Sequence, residues 1–184
     1  MPRKNKTEVP RGYISWSQID LVERDPEKYV QRYLRGEEDT ETEYTAFGIA
    51  THAKLAQGKP ETCITCYISR KGQKVKLLGY LDGLEDGIQI ERKTSTKLWS
   101  AKKAREHGQM KLYALIGYKS TGIIPKQELR CYETANMGEM VLTGEERIYP
   151  IQYTLTDMLE MEARVWKAHD KIIALVEEEL NNIF

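Results

Sequence analysis

Asp82, Glu91 and Lys93 lie close together in the stretch Leu77–Thr94, LLGYLDGLEDGIQIERKT. At its centre is Asp86-Gly87, the strongest dipeptide signal for a type I′ turn between two short apolar strands. With a two-residue loop, Glu85 faces Ile88 and Asp82 faces Glu91. Lys93 is two residues beyond Glu91 and points the same way. Leu81, Ile88 and Ile90 take the other face and suit a core. Two carboxylates directly opposite on a ladder have Cβ atoms roughly 4.5–5.5 Å apart and repel one another. A divalent cation between them reverses the sign of that interaction. Hard oxygen donors beside an amine suit metal-assisted hydrolysis of a phosphodiester, because Mg²⁺ is held by one or two carboxylates plus substrate phosphate. Lys93 could then orient or deprotonate the attacking water, or stabilise the developing oxyanion. The plainer alternative is a surface hairpin with scattered charges.

Positioning those groups requires the rest of the chain. Ser17 with Asp20 reads as a capping box opening a short helix, QIDLVER. Asp25-Pro26 caps a second helix, Glu27 to Leu34, which Gly36 ends. A third is predicted from about Tyr44 to Gln57. There Gly48 and His52 are four apart and share a face, so a ligand or backbone could approach; a lone helical histidine is more often a packing residue. Thr62 to Ser69 reads as a strand, with a turn near Lys71-Gly72 leading into Lys74 to Leu84. Three antiparallel strands are thus expected to meander, the central one carrying Asp82. A long helix from about Trp99 to Lys119 would set Arg105, Gln109 and Tyr113 on one face at i, i+4 and i+8. Strands follow at Gln127 to Thr134 and Arg147 to Tyr153. A closing helix, Thr156 to Asn182, carries a stripe including Met158, Met161, Val165, Trp166 and Ile172, which reads as packing. The order predicts an α/β (α+β) fold with a central mixed β-sheet flanked by helices.

The totals bound the options. The 184 residues suit a single domain, 1–184, with the first ten expected to be flexible. Lys+Arg and Asp+Glu are both 28, so any nucleic-acid surface must be a local basic groove. Lys97, Lys102, Lys103, Arg105 and Lys111 are candidate phosphate contacts near the Gln109 segment. The basic opening MPRKNK is followed by no apolar run, so neither a secretory signal nor a membrane span is expected. Three cysteines in that setting suggest reduced thiols and a cytoplasmic location. Cys63 and Cys66 would point to opposite faces of a strand, which argues against a zinc site.

Five segments, in order, resemble the RecB-like branch of the PD-(D/E)XK nuclease superfamily. ISWSQIDLVERDPEKYVQRYL looks like that branch's entry motif. Gly48-Ile-Ala-Thr-His52 resembles Gly-x-x-x-His, Gly79-Tyr-Leu-Asp82 resembles Gly-x-x-Asp, and Glu91-Arg-Lys93 resembles Glu-x-Lys. Gln109-Met-Lys-Leu-Tyr113 resembles the Gln-x-x-x-Tyr signature that marks the branch. Each is weak alone; together they span more than half the chain. The resemblance implies a restriction-endonuclease-like core. Asp82 and Glu91 would be metal ligands for Mg²⁺ or Mn²⁺, with the Arg92 backbone carbonyl and His52 joining or lining the site. Lys93 would be the catalytic lysine. Gln109 and Tyr113 would position DNA, with Ser15 and Ser17 of the entry motif, Arg105, Lys97 and Lys102 as further DNA contacts. Some relatives hold an iron–sulfur cluster on four cysteines; with three here, no cluster is expected.

The implied activity is a metal-dependent deoxyribonuclease, with an exonuclease acting on DNA ends favoured over an endonuclease or flap nuclease. A non-catalytic DNA-binding module keeping the fold is the alternative of another class. A helicase, recombinase or single-strand-binding protein is the partner such a stand-alone domain would work beside, in recombination, repair or phage and mobile-element DNA processing.

Overall fold

A computed structural model of the chain describes residues 8–37, 43–55, 61–137 and 139–183. The basic start through residue 7 and the predicted end of the third helix, 56–57, lie outside them.

After a short 3₁₀ turn at Pro10–Gly12, helix α1 runs over Trp16–Arg24. Its N-cap is Ser15 rather than Ser17, so the predicted capping box does not form; Ser17 Oγ instead meets Ser15 Oγ at 3.0 Å and Tyr33 OH at 3.3 Å. Asp25 does cap α2 (Pro26–Tyr29), its carboxylate accepting the Lys28 N–H at 3.0 Å with Pro26 at the first position. The helix runs on as a π-helical turn, Val30–Leu34, and stops before Gly36, whose φ is +74°. Helix α3 spans Glu43–Leu55.

Strands β1 (Thr62–Arg70) and β2 (Gln73–Leu81) form one hairpin, and β3 (Gly83–Glu85) and β4 (Ile88–Ser95) a second. Both turns, Lys71-Gly72 and Asp86-Gly87, have positive φ at both residues, as type I′ requires. Glu85 pairs with Ile88 and Gly83 with Ile90, the predicted register.

The three-strand meander does not form. β1 and β2 make a two-stranded sheet, and β3 and β4 join β5 (Gln127–Asn136) and β6 (Met140–Ile151) in a separate four-stranded one, in the order β3-β4-β5-β6. Asp82 is therefore not mid-strand. It is the bend at which the chain changes sheets. Its own polar groups explain the break: the carboxylate accepts the Arg92 N–H at 2.6 Å and the carbonyl accepts Arg92 Nη1 at 2.6 Å. A side chain thus takes the backbone donor that a continuing strand would have used.

β4 and β5 are parallel, joined by a helical crossover, while β3–β4 and β5–β6 are antiparallel, so the sheet is mixed. The crossover is two helices, α4 (Ala101–Arg105) and α5 (Gly108–Thr121), rather than one. The break at Glu106-His107 follows from tertiary contacts. Tyr153 OH donates to the Arg105 carbonyl at 3.0 Å, and the Trp16 ring lies so close to Gly108 that any Cβ there would overlap it.

Helix α6 (Leu155–Ile183) closes the chain. Met158, Met161, Val165, Trp166 and Ile172 are all buried, as a packing stripe should be, whereas Leu180 is exposed. They join Ile14, Leu77, Leu81, Leu112, Leu115 and Leu129 in one apolar cluster. The entry segment is fixed to the far edge of β2: Ile14 N–H donates to the Lys76 carbonyl and Leu78 N–H to the Ile14 carbonyl, at 2.9 and 3.0 Å. The architecture is α/β, a mixed sheet flanked by helices, as expected. No helix among the described residues is long and apolar enough to cross a membrane.

Candidate functional site

β4 is the strand from which the site is built. Gln89, Ile90, Glu91 and Arg92 are all buried, as in a strand covered on both faces. Alternation sends Ile88, Ile90 and Arg92 to one side and Gln89, Glu91 and Lys93 to the other. The second side lies under α5. Gln89 shares a hydrogen bond with Gln127, whose amide also donates to the Met110 carbonyl of α5 at 2.9 Å. Lys93 is thereby delivered to the same helix.

The contacts then run in series. Lys93 Nζ lies 2.5 Å from Glu91 Oε1 and donates to Gln109 Oε1 at 2.9 Å. Gln109 Nε2 donates to Tyr113 OH at 2.8 Å. The Tyr113 ring presses on β2 at Gly79, where a Cβ would overlap it. Glycine is needed there for space, so Gly79 and Tyr113 are coupled positions. Burial pushes the Tyr113 phenol well above its ordinary value, and the Glu91 and Asp82 carboxylates add to the rise. Glu91 is 2% exposed, and a buried carboxylate needs a cation at hand.

Asp82 is held from two directions. Arg92 uses its main-chain N–H on the Asp82 carboxylate and its guanidinium on the Asp82 carbonyl, and Arg92 Nη2 also lies 3.6 Å from Glu85. The guanidinium lies against Gly83, 3.4 Å from where a Cβ would be, an ordinary packing distance. The motif spacing did not disclose this role for Arg92, which depends on a partner ten residues away in the chain.

The remaining predicted residues are placed as follows. Ser15 and Ser17 line a cleft of about 270 Å³ together with Gln109, Tyr113, Gly79 and Tyr33, so the entry motif and the Gln109 motif meet in space. His52 is in α3, and its side chain lies outside the described residues; α3 itself reaches β4, with Gly48 beside Thr94. Arg105 does not share a face with Gln109 and Tyr113, because the helix breaks between them. Its guanidinium donates to the Gln152 carbonyl and pairs with Asp157, at 2.9 and 3.2 Å. Lys111 also lies near Asp157, at 3.4 Å. Lys97 and Lys102 are exposed, Lys102 lying 3.9 Å from Glu106. Cys63 is exposed and Cys66 buried, on opposite faces of β1 as read from the sequence; Cys131 is buried in β5.

Asp82 and Glu91 are hard oxygen donors of the kind Mg²⁺ and Mn²⁺ prefer, and the Arg92 carbonyl lies on the same strand. Among the described residues no group of three or more His, Cys, Asp or Glu side chains is arranged to hold a metal. The donor set thus fits a cation that draws its remaining ligands from water and substrate, as Mg²⁺ does.

Neither the family models nor the curated proteins compared with the sequence give a match. Solved structures do. The fold is similar to that of a protein from Eubacterium rectale named "Putative exonuclease", with a TM-score of 0.58 at 13% identity, covering 91% of this chain and 82% of that one. The structure of SSO0001 aligns with a TM-score of 0.49 at 14% identity, over 82% of this chain and 69% of the other. At 13% identity the likeness to the Eubacterium rectale protein is one of fold: an α/β chain with a mixed sheet and helices on its faces.

Proposed function

We propose that this protein is a metal-dependent DNA nuclease of the RecB-like PD-(D/E)XK type, acting on DNA ends. The observation that carries the reading is the series Glu91–Lys93–Gln109–Tyr113, with Asp82 fixed beside it by Arg92. Segments separate in sequence converge there, and a scaffold with no use for the site would gain little from burying an acid and an amine together. The name of the Eubacterium rectale neighbour supports the same class.

In this reading Asp82 and Glu91, with the Arg92 carbonyl and His52, hold Mg²⁺ or Mn²⁺. The cation, when bound, offsets charge on the phosphoryl group and eases ionisation of the attacking water. Lys93 keeps its proton donors at the phosphate and steadies the developing oxyanion. Gln109 fixes the Lys93 ammonium and Tyr113 limits where Gln109 can sit. Ser15 and Ser17 line the path of the strand. Lys97 and Lys102, both exposed, would meet phosphates of the strand, and Arg105 serves through its hold on the β6–α6 junction. A helicase or single-strand-binding partner would supply ends to such a domain.

Linear and closed-circular DNA incubated with Mg²⁺ or Mn²⁺ test the mode. Degradation of the linear form alone supports the end-directed activity. Cutting of the circle makes the enzyme an endonuclease, and no cleavage of either, with either cation, removes the nuclease reading.

A further inference from the structure

Behind the catalytic series lies a second cleft, of about 380 Å³, lined by Trp16, Lys103, His107, Gly108 and Arg164 among others. Trp16 is the shared wall, since it also lines the cleft holding Ser15, Gln109 and Tyr113. His107 is two residues from Gln109, and its Nδ1 is buried with no hydrogen-bond partner. A buried polar atom left without a partner costs about 1–3 kcal/mol, so it points to a group that arrives with a ligand. The aromatic surface is extensive. The His107 ring is 5.2 Å from Trp99 and 6.3 Å from Trp16. Cations sit on both indoles: Lys103 Nζ is 4.2 Å from the Trp99 ring centre and the Arg164 guanidinium 4.9 Å from that of Trp16. Two of the cations at the cleft are paired with acids, Arg164 with Glu23 at 2.5 Å and Lys102 with Glu106 at 3.9 Å. Lys103 keeps its charge without a carboxylate partner in the described ion pairs.

Aromatic rings interleaved with cations are what a single nucleic-acid strand needs: stacking surfaces that accept any base and charges that track the backbone. We propose that this cleft is a nucleotide subsite, taking one unstacked nucleotide of the substrate strand next to the scissile phosphate. The base lies against the Trp16–His107 wall, His107 Nδ1 bonds its polar edge, and Lys103 meets its phosphate. This rests on the nuclease reading for its place beside the scissile bond. Burial, with Lys93 and Lys103 nearby, pushes the His107 imidazole down to about 4, so at neutral pH it is an uncharged partner suited to a base rather than a phosphate.

The test uses the full chain carrying Lys93→Ala, titrated with a five-nucleotide single strand, a deoxynucleoside 5′-monophosphate and inorganic phosphate, without added metal. The strand and the mononucleotide should quench tryptophan emission, and phosphate alone should not. Trp16→Phe should lose much of the quenching while binding measured by anisotropy stays within about three-fold, because a ring remains. Lys103→Ala and His107→Leu should each weaken the strand by about five-fold or more. Turnover cannot be read on the Lys93 background, so Lys103→Ala and His107→Leu are also made in the parent, where KM should rise several-fold and kcat change less. Absence of quenching by the strand, or affinity unmoved by Lys103→Ala and His107→Leu, overturns the subsite. Cleavage by the parent, scored separately, decides the nuclease reading, so either can fail alone.

Discussion

Lys93 pairs with the buried Glu91, and it also orders Gln109. Removing one member of a buried pair leaves the other charge exposed to a poor dielectric, at a cost of roughly 3–5 kcal/mol. Lys93→Met should therefore abolish cleavage and lower the melting temperature. Mn²⁺ should restore much of the lost stability, because a cation that binds only the folded state raises its stability by mass action. Thermal melts with and without Mn²⁺ check this; a melt unmoved by Mn²⁺ would separate Glu91 from any metal role. Arg92 acts on Asp82 rather than on substrate. Arg92→Met keeps the main-chain N–H on the carboxylate but loses the guanidinium on the carbonyl, so it should reduce kcat about ten-fold or more and leave KM nearly unchanged, while Arg92→Lys recovers part of the loss. A steady-state comparison of the three proteins reads that split.

The elements show how far sequence reasoning reached. The type I′ turn at Asp86-Gly87, a turn near Lys71-Gly72 and the Asp25 cap were legible, because each depends on residues adjacent in the chain. The Glu85–Ile88 register and the Gln109–Tyr113 pairing were legible for the same reason. The split at Asp82 was not. It depends on an arginine ten residues away whose side chain and backbone both turn to Asp82. The break before α5 was equally hidden, since it follows from Trp16 and Tyr153, distant in sequence. Gly79 illustrates the cost of such contacts. Gly79→Ala forces a methyl into the Tyr113 ring and should cost about 1–3 kcal/mol, with a matching fall in kcat as Gln109 shifts. His107 adds a pH dependence at the α4–α5 junction. Its folded value of about 4 is below its ordinary 6.5, so the unfolded chain binds more protons between those values. Its contribution is present above pH 6.5 and is lost as pH falls towards 4. His107→Leu should flatten that part of the stability–pH profile, measured by melts from pH 4 to 7.

For the whole molecule, equal numbers of basic and acidic residues leave no bulk attraction for DNA. The proposed DNA binding would come from local groups, of which Lys97, Lys102 and Lys103 are exposed while Arg105 and Lys111 are engaged with Asp157. Few phosphate contacts mean a shallow salt dependence: the slope of log K against log salt should be about −2 to −3, set by that small number of cations. Anisotropy titrations at several salt concentrations measure it. The architecture brings the strand-borne acids and amine, the helix-borne amide and phenol, and the entry-segment serines to one region, and the proposed activity rests on that meeting. The most direct test compares the parent with Asp82→Ala and Glu91→Gln on end-labelled linear DNA in Mn²⁺, with folding followed by circular dichroism. The account predicts degradation by the parent and at least about a hundred-fold loss in both variants, with unchanged spectra. Equal cleavage by all three proteins would contradict it.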